Sequence, residues 1–270
     1  MFETRKKLTE AEFEALFREA LMVVEGSHPG GAVPMFEELL LSAVLDMEVG
    51  DHPEQEDLEG MINLRMYLGR ALMLSKRATE AVPVLRIALE DSRRVCGATS
   101  RLTFSCKGNL CRALGKAGQF EEAIELALEL FNERVRVFGR KDNGTLNAMG
   151  HLSHLMFEAG ETEIACELME ELLELRTELF GADDPRTESS RFNLVVMKAS
   201  LDNDVDAVRE LMEEYEAGFG SACPQTITLR ETLAGIYSRK GHLWKAYLER
   251  TRARADRDRL GELDDRPGAS

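Results

Sequence analysis

The chain has 270 residues and a formal net charge of -15, with 34 Lys plus Arg against 49 Asp plus Glu. The excess of acids argues against nucleic acid or a membrane surface as a partner, because both are bound through clustered Lys and Arg. No apolar run reaches the roughly 18 residues of a spanning helix, and the N-terminus lacks the apolar region of a signal peptide. We therefore expect a cytoplasmic protein. Its five cysteines contain no Cys-x-x-Cys pair and fit reduced thiols.

An internal repeat runs along the chain. Gly97, Gly139, Gly181 and Gly220 are 42, 42 and 39 residues apart, and each is followed by a Thr after six residues, a Leu after thirteen and an Ala after twenty-six. The Ala column continues upstream to Ala81 and Ala32. Six copies fill residues 9–261 as a single domain, with boundaries near 9–49, 50–96, 97–138, 139–180, 181–219 and 220–261, and leave 262–270 as a polar tail.

Each copy is predicted to form two helices, A and B. The Gly97-type residue follows a periodic apolar segment, where a helix end favours the left-handed conformation that Gly adopts easily. Ser100, Asp142 and Asp184 come three residues later and are good N-caps for helix A. A second glycine, as at Gly118, separates the helices, and the Ala column lets helix B approach closely. We predict an all-α fold, an α-solenoid of about six stacked antiparallel helix pairs.

The last helix B differs from the earlier ones. Glu249 and Arg250 occupy positions that are apolar in the preceding copies. This pattern predicts a polar outer face, as a capping repeat requires. The run from Glu249 to Asp265 is interpreted as a solvated helix that frays into the tail, and its acids balance its arginines.

The Leu-to-Ala interval and the turn Gly between them resemble the tetratricopeptide repeat. The 42-residue period and the segments Gly-Ala-Asp-Asp-Pro-Arg-Thr (181–187) and Gln-Phe-Glu-Glu-Ala (119–123) resemble the kinesin light chain type of this repeat. The resemblance implies a right-handed superhelix with the A helices on its concave wall. The coiled coil of kinesin light chains is absent, so we do not expect the chain to be one. The copy at 181–219 also departs from the pattern, with Asp202 at the turn Gly.

Polar side chains recur at fixed positions of the A helices and predict a peptide-binding groove. The A helices of the last four copies carry a net positive charge and the neighbouring B helices a net negative one. The candidate groove residues are Asn63, Tyr67, Arg70, Asn109, Arg112, Lys116, Asn147, His151, His154 and Asn193. The resemblance implies an acidic, aromatic-containing peptide. Arg70, Arg112 and Lys116 would pair with its carboxylates, and Asn109, Asn147 and Asn193 would hold its backbone.

Catalytic and metal sites are less well supported. His151, His154 and Glu158 share one helical face, but the two histidines already belong to the groove columns and no His-Glu-x-x-His motif is present. Cys106 and Cys111 are interpreted as core thiols rather than nucleophiles. We therefore predict a protein that is not an enzyme and needs neither a metal nor another cofactor.

The leading hypothesis is an adaptor that binds a peptide segment of a partner protein, acidic or mixed in charge rather than basic. The alternative is a regulatory protein in which a peptide or another ligand changes the conformation of the repeats. The first helix pair is also a candidate surface for self-association, because no earlier repeat covers its apolar face. That face consists of Phe13, Leu16, Phe17, Leu21 and Val24.

Overall fold

The computed structural model describes residues 7–26, 29–49 and 54–264, and within these ranges it contains twelve α-helices, one short 3-10 helix and no strand. The α-helices are α1 Glu10–Glu25, α2 Ala32–Val49, α3 Gln55–Leu74, α4 Ala78–Cys96, α5 Arg101–Lys116, α6 Phe120–Phe138, α7 Asn143–Glu158, α8 Thr162–Phe180, α9 Pro185–Asp202, α10 Val205–Phe219, α11 Pro224–Arg239 and α12 Leu243–Asp264. The predicted all-α fold with six helix pairs is confirmed. Among these helices, none combines the length and the low charge needed to cross a membrane.

The chain divides into two compact units, Met1–His151 and Leu152–Ser270. In the first unit, each helix from α1 to α5 packs against the next, and α3 also contacts α5. In the second unit, the same holds from α8 to α12, and α9 also contacts α11. Within each unit, an A helix therefore touches its own B helix and the next A helix. A single domain over residues 9–261 stays a prediction.

The caps that begin the A helices follow the repeat. The Ser100 hydroxyl accepts a hydrogen bond from the Thr103 amide at 3.1 Å, and an Asp184 carboxylate oxygen accepts one from the Arg186 amide at 2.9 Å. Asp142 accepts one from the Thr145 amide in the same way, at 2.9 Å. These contacts satisfy amides that the first turn of a helix leaves without an intrahelical partner.

The turns between helices require a left-handed residue. Gly97 and Gly181 lie at φ 87° and 91°, where a side chain would be strained. In the turn after α9, where the repeat has Asp202 in place of Gly, the left-handed position moves to Asn203 at φ 55°. Asn is among the few other residues that tolerate this conformation, so the turn survives the loss of the glycine.

Close helix packing follows the small residues. Ala81, Ala123, Ala165 and Ala246 are buried at the start of their B helices. Between α3 and α4 the contact is tighter still, since a Cβ added to Gly69 would lie 2.6 Å from Leu85 side-chain carbons. Small side chains thus set the distance between the two helices of a pair.

The last helix corrects one sequence-based prediction. Glu249 was predicted to face solvent, yet only 8% of it is exposed. Arg230 of α11 enters the interior of the second unit and pairs with Glu249 at 3.3 Å, with Asp256 at 2.8 Å and with Glu216. The prediction was wrong because a cation from the neighbouring helix draws these acids inward. Helix α12 also runs through Asp264 into the predicted tail, and residues 265–270 lie outside the described residues.

Candidate functional site

Asn63 and Tyr67, two of the predicted groove residues, line a cleft of about 800 Å³ in the first unit. The walls of this cleft are aromatic. The Tyr67 ring stacks on Phe36 with a centroid distance of 5.7 Å, and Phe17 meets it edge-on at 5.6 Å. Phe13 adds a further apolar surface. The cleft can therefore hold an apolar or aromatic side chain.

Carboxylates surround this cleft. They come from three helices, namely Glu10 and Glu14 of α1, Asp46 of α2, and Glu56 and Asp57 of α3. Lys7 pairs with Asp46 and is the one basic side chain among the cleft residues. This acidic rim is not apparent in the sequence, because its carboxylates are far apart in the chain and come together only through helix packing.

Three predicted groove residues do lie together on α3 and α5. An Arg112 Nη donates a hydrogen bond to the Asn109 side-chain oxygen, and the Asn109 amide lies 3.5 Å from the Met66 sulfur. Partial burial and the neighbouring charge of Arg70 lower the pKa of Arg112. Because the two guanidinium charges repel each other, an anion placed beside them would be stabilised.

Lys116 follows Arg112 by one helical turn and is exposed. We call Arg70, Arg112 and Lys116 the cationic cluster. Among the residues that the structure describes, no carboxylate forms an ion pair with any of the three. The ion pairs on α3 and α5 involve Arg65 and Lys107 instead. The cluster is therefore available to an anionic ligand.

Not all of the positive charge on the A helices faces solvent. Lys107 of α5 is only 1% exposed, and its ammonium group pairs with Glu129 at 2.9 Å and Glu133 at 2.6 Å. Arg230 of α11 is buried in the same manner. The net charge of a helix, summed from sequence, thus overstates the positive charge that these A helices present to a ligand.

Helix α7 carries three of the predicted residues on its surface. Asn147, His151 and His154 are exposed, and His154 Nε2 lies 3.5 Å from Glu158 Oε1. In the described part of the chain, no group of three or more His, Cys, Asp and Glu side chains is arranged to hold a metal ion. The histidines remain candidates for the groove.

A second cleft, of about 970 Å³, lies in the second unit and contains the exposed Asn193. Ser189 of α9 and Thr228 of α11, two further polar residues of the A helices, also line it. Its aromatic wall consists of Phe192, Tyr215 and Phe219, which sequence reasoning did not select. The signal for the last two was their position in the final turn of a B helix, just before Gly220.

The aromatic wall is held in place by one polar contact. The Tyr215 hydroxyl donates a hydrogen bond to Glu188 Oε1 at 2.9 Å, and its ring meets Phe192 edge-on at 5.3 Å. Burial and the nearby Glu188 carboxylate raise the pKa of Tyr215 to about 12. The phenol therefore stays protonated and keeps its role as a donor at neutral pH.

Cys106 and Cys111 are buried, as expected of core thiols. Burial raises the pKa of Cys106 to about 11 and that of Cys111 to about 12, whereas an ordinary thiol has a pKa of about 8.5. Folding raises the pKa of both thiols, so the folded state holds their protons more tightly than the unfolded state does. The stability that depends on these protonated thiols is fully present below the ordinary thiol pKa. It is lost as the pH rises above that value.

We expect both thiols to react with a thiol reagent at about pH 8 at least about a hundredfold more slowly than an unfolded thiol. Cys96 and Cys223 are half-buried and serve as internal controls that react first. Peptide mass mapping after timed labelling measures each site. Equal labelling of all five cysteines in the folded protein would contradict a buried position for Cys106 and Cys111.

Comparisons with known proteins agree with this architecture. Residues 145–186 match the tetratricopeptide repeat family. No curated protein has a sequence that matches this chain. The resemblance to solved structures is at the level of the fold, since the identities are low.

Three solved structures illustrate it. Repeats of a putative kinesin light chain from Podosopora anserina are 17% identical, with 78% of this chain and 100% of that chain covered and a TM-score of 0.55. The apo form of RapI is 10% identical, with coverage of 94% and 86% and a TM-score of 0.71. The Rap conjugation gene regulator of plasmid pLS20, solved with the Phr* peptide, is 12% identical, with coverage of 94% and 73% and a TM-score of 0.51.

The predicted resemblance therefore holds at both levels. A 42-residue segment has the sequence of the repeat, and the helix pairs have the fold of proteins built from it. Residues 145–186 thus match a tetratricopeptide repeat, and the described helices have the helical-repeat fold of kinesin light chain-like and Rap proteins.

Proposed function

We propose that the protein is a non-catalytic adaptor that binds a peptide segment of a partner protein along the A helices of its first unit. The observation that carries the proposal is the cationic cluster beside Asn109. The Arg112 guanidinium is affected by the charge of Arg70 and has no carboxylate partner among the described residues, so an anion bound beside the two would relieve their repulsion. Arg side chains in such a cluster can hold a carboxylate through two parallel hydrogen bonds.

Two neighbouring surfaces that include residues of α3 favour a peptide of mixed character. The cationic cluster takes carboxylates of the peptide, while the cleft at Asn63 and Tyr67 takes an apolar or aromatic side chain. The carboxylates around that cleft repel further acids and favour a neutral or basic residue there. The expected ligand therefore combines acidic residues with a nearby aromatic residue.

The A helices α7 and α9 carry further polar side chains that can contact a peptide. Asn147 and Asn193 supply amide groups that can hydrogen-bond a peptide backbone, and His151 and His154 offer further polar contacts. Asn193 also borders the aromatic wall of the second cleft. In this proposal Asn147 and His151 add contacts in the first unit, His154 and Asn193 offer such contacts separately in the second unit, and the cationic cluster favours acidic residues of the ligand.

The proposal is tested by reversing the charge of the cationic cluster. Partners are captured from a cell extract on immobilised protein, identified by mass spectrometry, and a synthetic peptide from the captured protein is titrated by calorimetry. Arg70→Glu with Arg112→Glu is expected to abolish measurable binding, because attraction becomes repulsion at both positions. Binding should also weaken as salt rises, since the screening length is only about 8 Å at physiological ionic strength.

The matched control is Arg94→Glu with Arg136→Glu. These exposed residues lie on the B helices α4 and α6 of the same unit, and the change in net charge is identical. The control should bind the peptide like the wild type. If the Arg70 and Arg112 variant bound equally well while its circular dichroism matched the wild type, the groove assignment would be wrong.

A regulatory role is the second candidate. The likeness to Rap structures supports it, one of which was solved with the Phr* peptide. Small-angle scattering of the calorimetry samples distinguishes the two. An adaptor keeps its dimensions when the peptide binds, whereas a regulatory switch changes them. A cytoplasmic location and self-association through the first helix pair stay predictions, and in that pair Phe17 already packs against Phe36 and Tyr67.

A further inference from the structure

The start of α12 exposes large aromatic side chains. Trp244 is 69% and Tyr247 58% exposed, and Leu243 beside them is exposed as well. The two aromatic rings stack with a centroid distance of 5.5 Å. Such an apolar surface at one place is unusual for a face that only meets water.

The repeat identifies the residues at equivalent positions in the other B helices. Tyr247 follows Ala246 by one residue, the position that Val82, Cys166 and Val208 occupy in other copies. Those three side chains are buried. Val208 packs in one apolar cluster with Leu229 and Leu233 of the following helix, α11. Tyr247 therefore lies on the face of a B helix against which a further helix packs in the preceding repeat.

The rest of this face is cationic instead of apolar. Arg250 and Arg254 follow Ala246 by four and eight residues. In the second copy the same two positions hold Leu85 and Leu89, which are buried, and Leu85 packs against Gly69 of its own A helix α3. We call Leu243, Trp244, Tyr247, Arg250 and Arg254 the end face. Covering these two guanidinium groups with apolar side chains alone would be costly, so a partner on this face needs carboxylates.

The arginines of the end face are not neutralised within the chain. Arg250 donates a hydrogen bond to the Ser238 hydroxyl at 3.1 Å, and no carboxylate in the described ranges forms an ion pair with it or with Arg254. The other arginines of α12 are engaged. Arg252 pairs with Glu249, Arg257 with Glu231 and Arg259 with Asp256.

The buried cluster around Arg230 explains this imbalance. It draws Glu249 and Asp256 of α12 into the interior of the second unit. The acids that seemed to balance the arginines in the sequence therefore contribute little to the solvent-facing side of the helix. The end face is left with a positive charge beside an apolar surface.

We propose that the end face docks an acidic amphipathic helix of a partner protein, at a site separate from the A-helix groove. The helical form follows from the repeat, since the equivalent face of α10 packs against a helix. Apolar residues of the partner cover Trp244 and Tyr247, and its carboxylates pair with Arg250 and Arg254. Trp, Tyr and Arg are also the residues that most often dominate binding energy at protein interfaces.

Trp244 makes the proposal directly measurable, because it is the only tryptophan in the chain. The probe is a synthetic helix-forming peptide of 16 residues, the length of α11, with leucines on one face and glutamates on the other. A twin peptide carries lysines in place of the glutamates. The glutamate peptide is expected to shift the Trp244 emission to shorter wavelength in a saturable manner, because docking removes the indole from water. The lysine peptide should cause no shift.

Two variants test the contributions separately. Arg250→Glu with Arg254→Glu should weaken binding of the glutamate peptide by at least about tenfold, since two attractive contacts become repulsive. Tyr247→Ala removes apolar contact and should also weaken it, while Trp244 still reports. Arg94→Glu with Arg136→Glu, on α4 and α6, changes the net charge equally and should bind normally. Circular dichroism verifies that each variant is folded.

Two results would overturn the proposal. One is equal binding of the glutamate and lysine peptides, which would mean nonspecific apolar contact. The other is an emission shift that develops with rising protein concentration alone, together with a dimer mass in light scattering, which would make a second copy of this chain the occupant. Because the end face lies outside the groove, Arg70→Glu with Arg112→Glu should leave the fluorescence titration unchanged, so the two sites can fail independently.

Discussion

Replacing Arg230 by Met should lower the free energy of unfolding of the second unit by about 3–5 kcal/mol, the largest single-residue effect that we expect in this chain. The Arg230 guanidinium is the shared partner of Glu216, Glu249 and Asp256. Without it, Glu249 and Asp256 remain buried as carboxylates, with only the exposed Arg252 and Arg259 as partners. A buried charge that loses its main partner is strongly destabilising.

Urea denaturation followed by Trp244 fluorescence measures this effect, because Trp244 belongs to the second unit. The control is Arg257→Met, which removes an exposed arginine from α12 and its ion pair with Glu231. An exposed pair contributes at most about 1 kcal/mol. If the two variants lost the same stability, the buried cluster around Arg230 would not hold α11 and α12 together.

The double variant Glu129→Gln with Glu133→Gln should destabilise the first unit by a similar amount, about 3–5 kcal/mol. Both carboxylates of α6 pair with the Lys107 ammonium group, which is otherwise enclosed by the protein. Lys107 in turn holds the pKa of Glu129 below its usual value, so this contribution is present at neutral pH and is lost as the pH falls through that lowered pKa. The glutamines leave an ammonium group buried without an opposite charge.

A mutant cycle separates this effect from the loss of the glutamates themselves. Lys107→Met alone should cost less, because Glu129 and Glu133 reach solvent and Met fills a similar volume. Adding Lys107→Met to the double glutamine variant should therefore restore most of the lost stability. Unfolding is followed by far-ultraviolet circular dichroism. Strictly additive effects would contradict the coupling on which this prediction depends.

The buried cations stabilise the fold, whereas the exposed arginines of the proposed groove are expected to affect only binding. Lys107 and Arg230 are cations of A helices, but each holds its helix to a neighbouring B helix. Arg70 and Arg112 have no such carboxylate partners in the described chain, so reversing their charge should change binding without unfolding the first unit. This difference makes the proposed adaptor function testable by mutation.

The repeat could be recognised from sequence because local rules determine it. Gly97 and Gly181 mark left-handed turns, and Ser100 and Asp184 mark helix starts. The Ala column marks close packing. Each signal depends only on residues nearby in the chain. The number and order of the helices followed from these signals. Asn203 shows the same principle, since it takes the left-handed position where the glycine is missing.

Charge placement could not be read from the sequence. Lys107 and Arg230 count toward the positive charge of the A helices, and Glu249 was predicted to face solvent, yet helix packing brings these cations and carboxylates from different helices together in the interior. The acidic cleft around Tyr67 and the cationic end face of α12 have the same origin. Sequence alone therefore determined the helices and their repeat, because these depend on local conformation. Only the tertiary structure decided which charges face solvent, because that depends on pairing between residues distant in the chain.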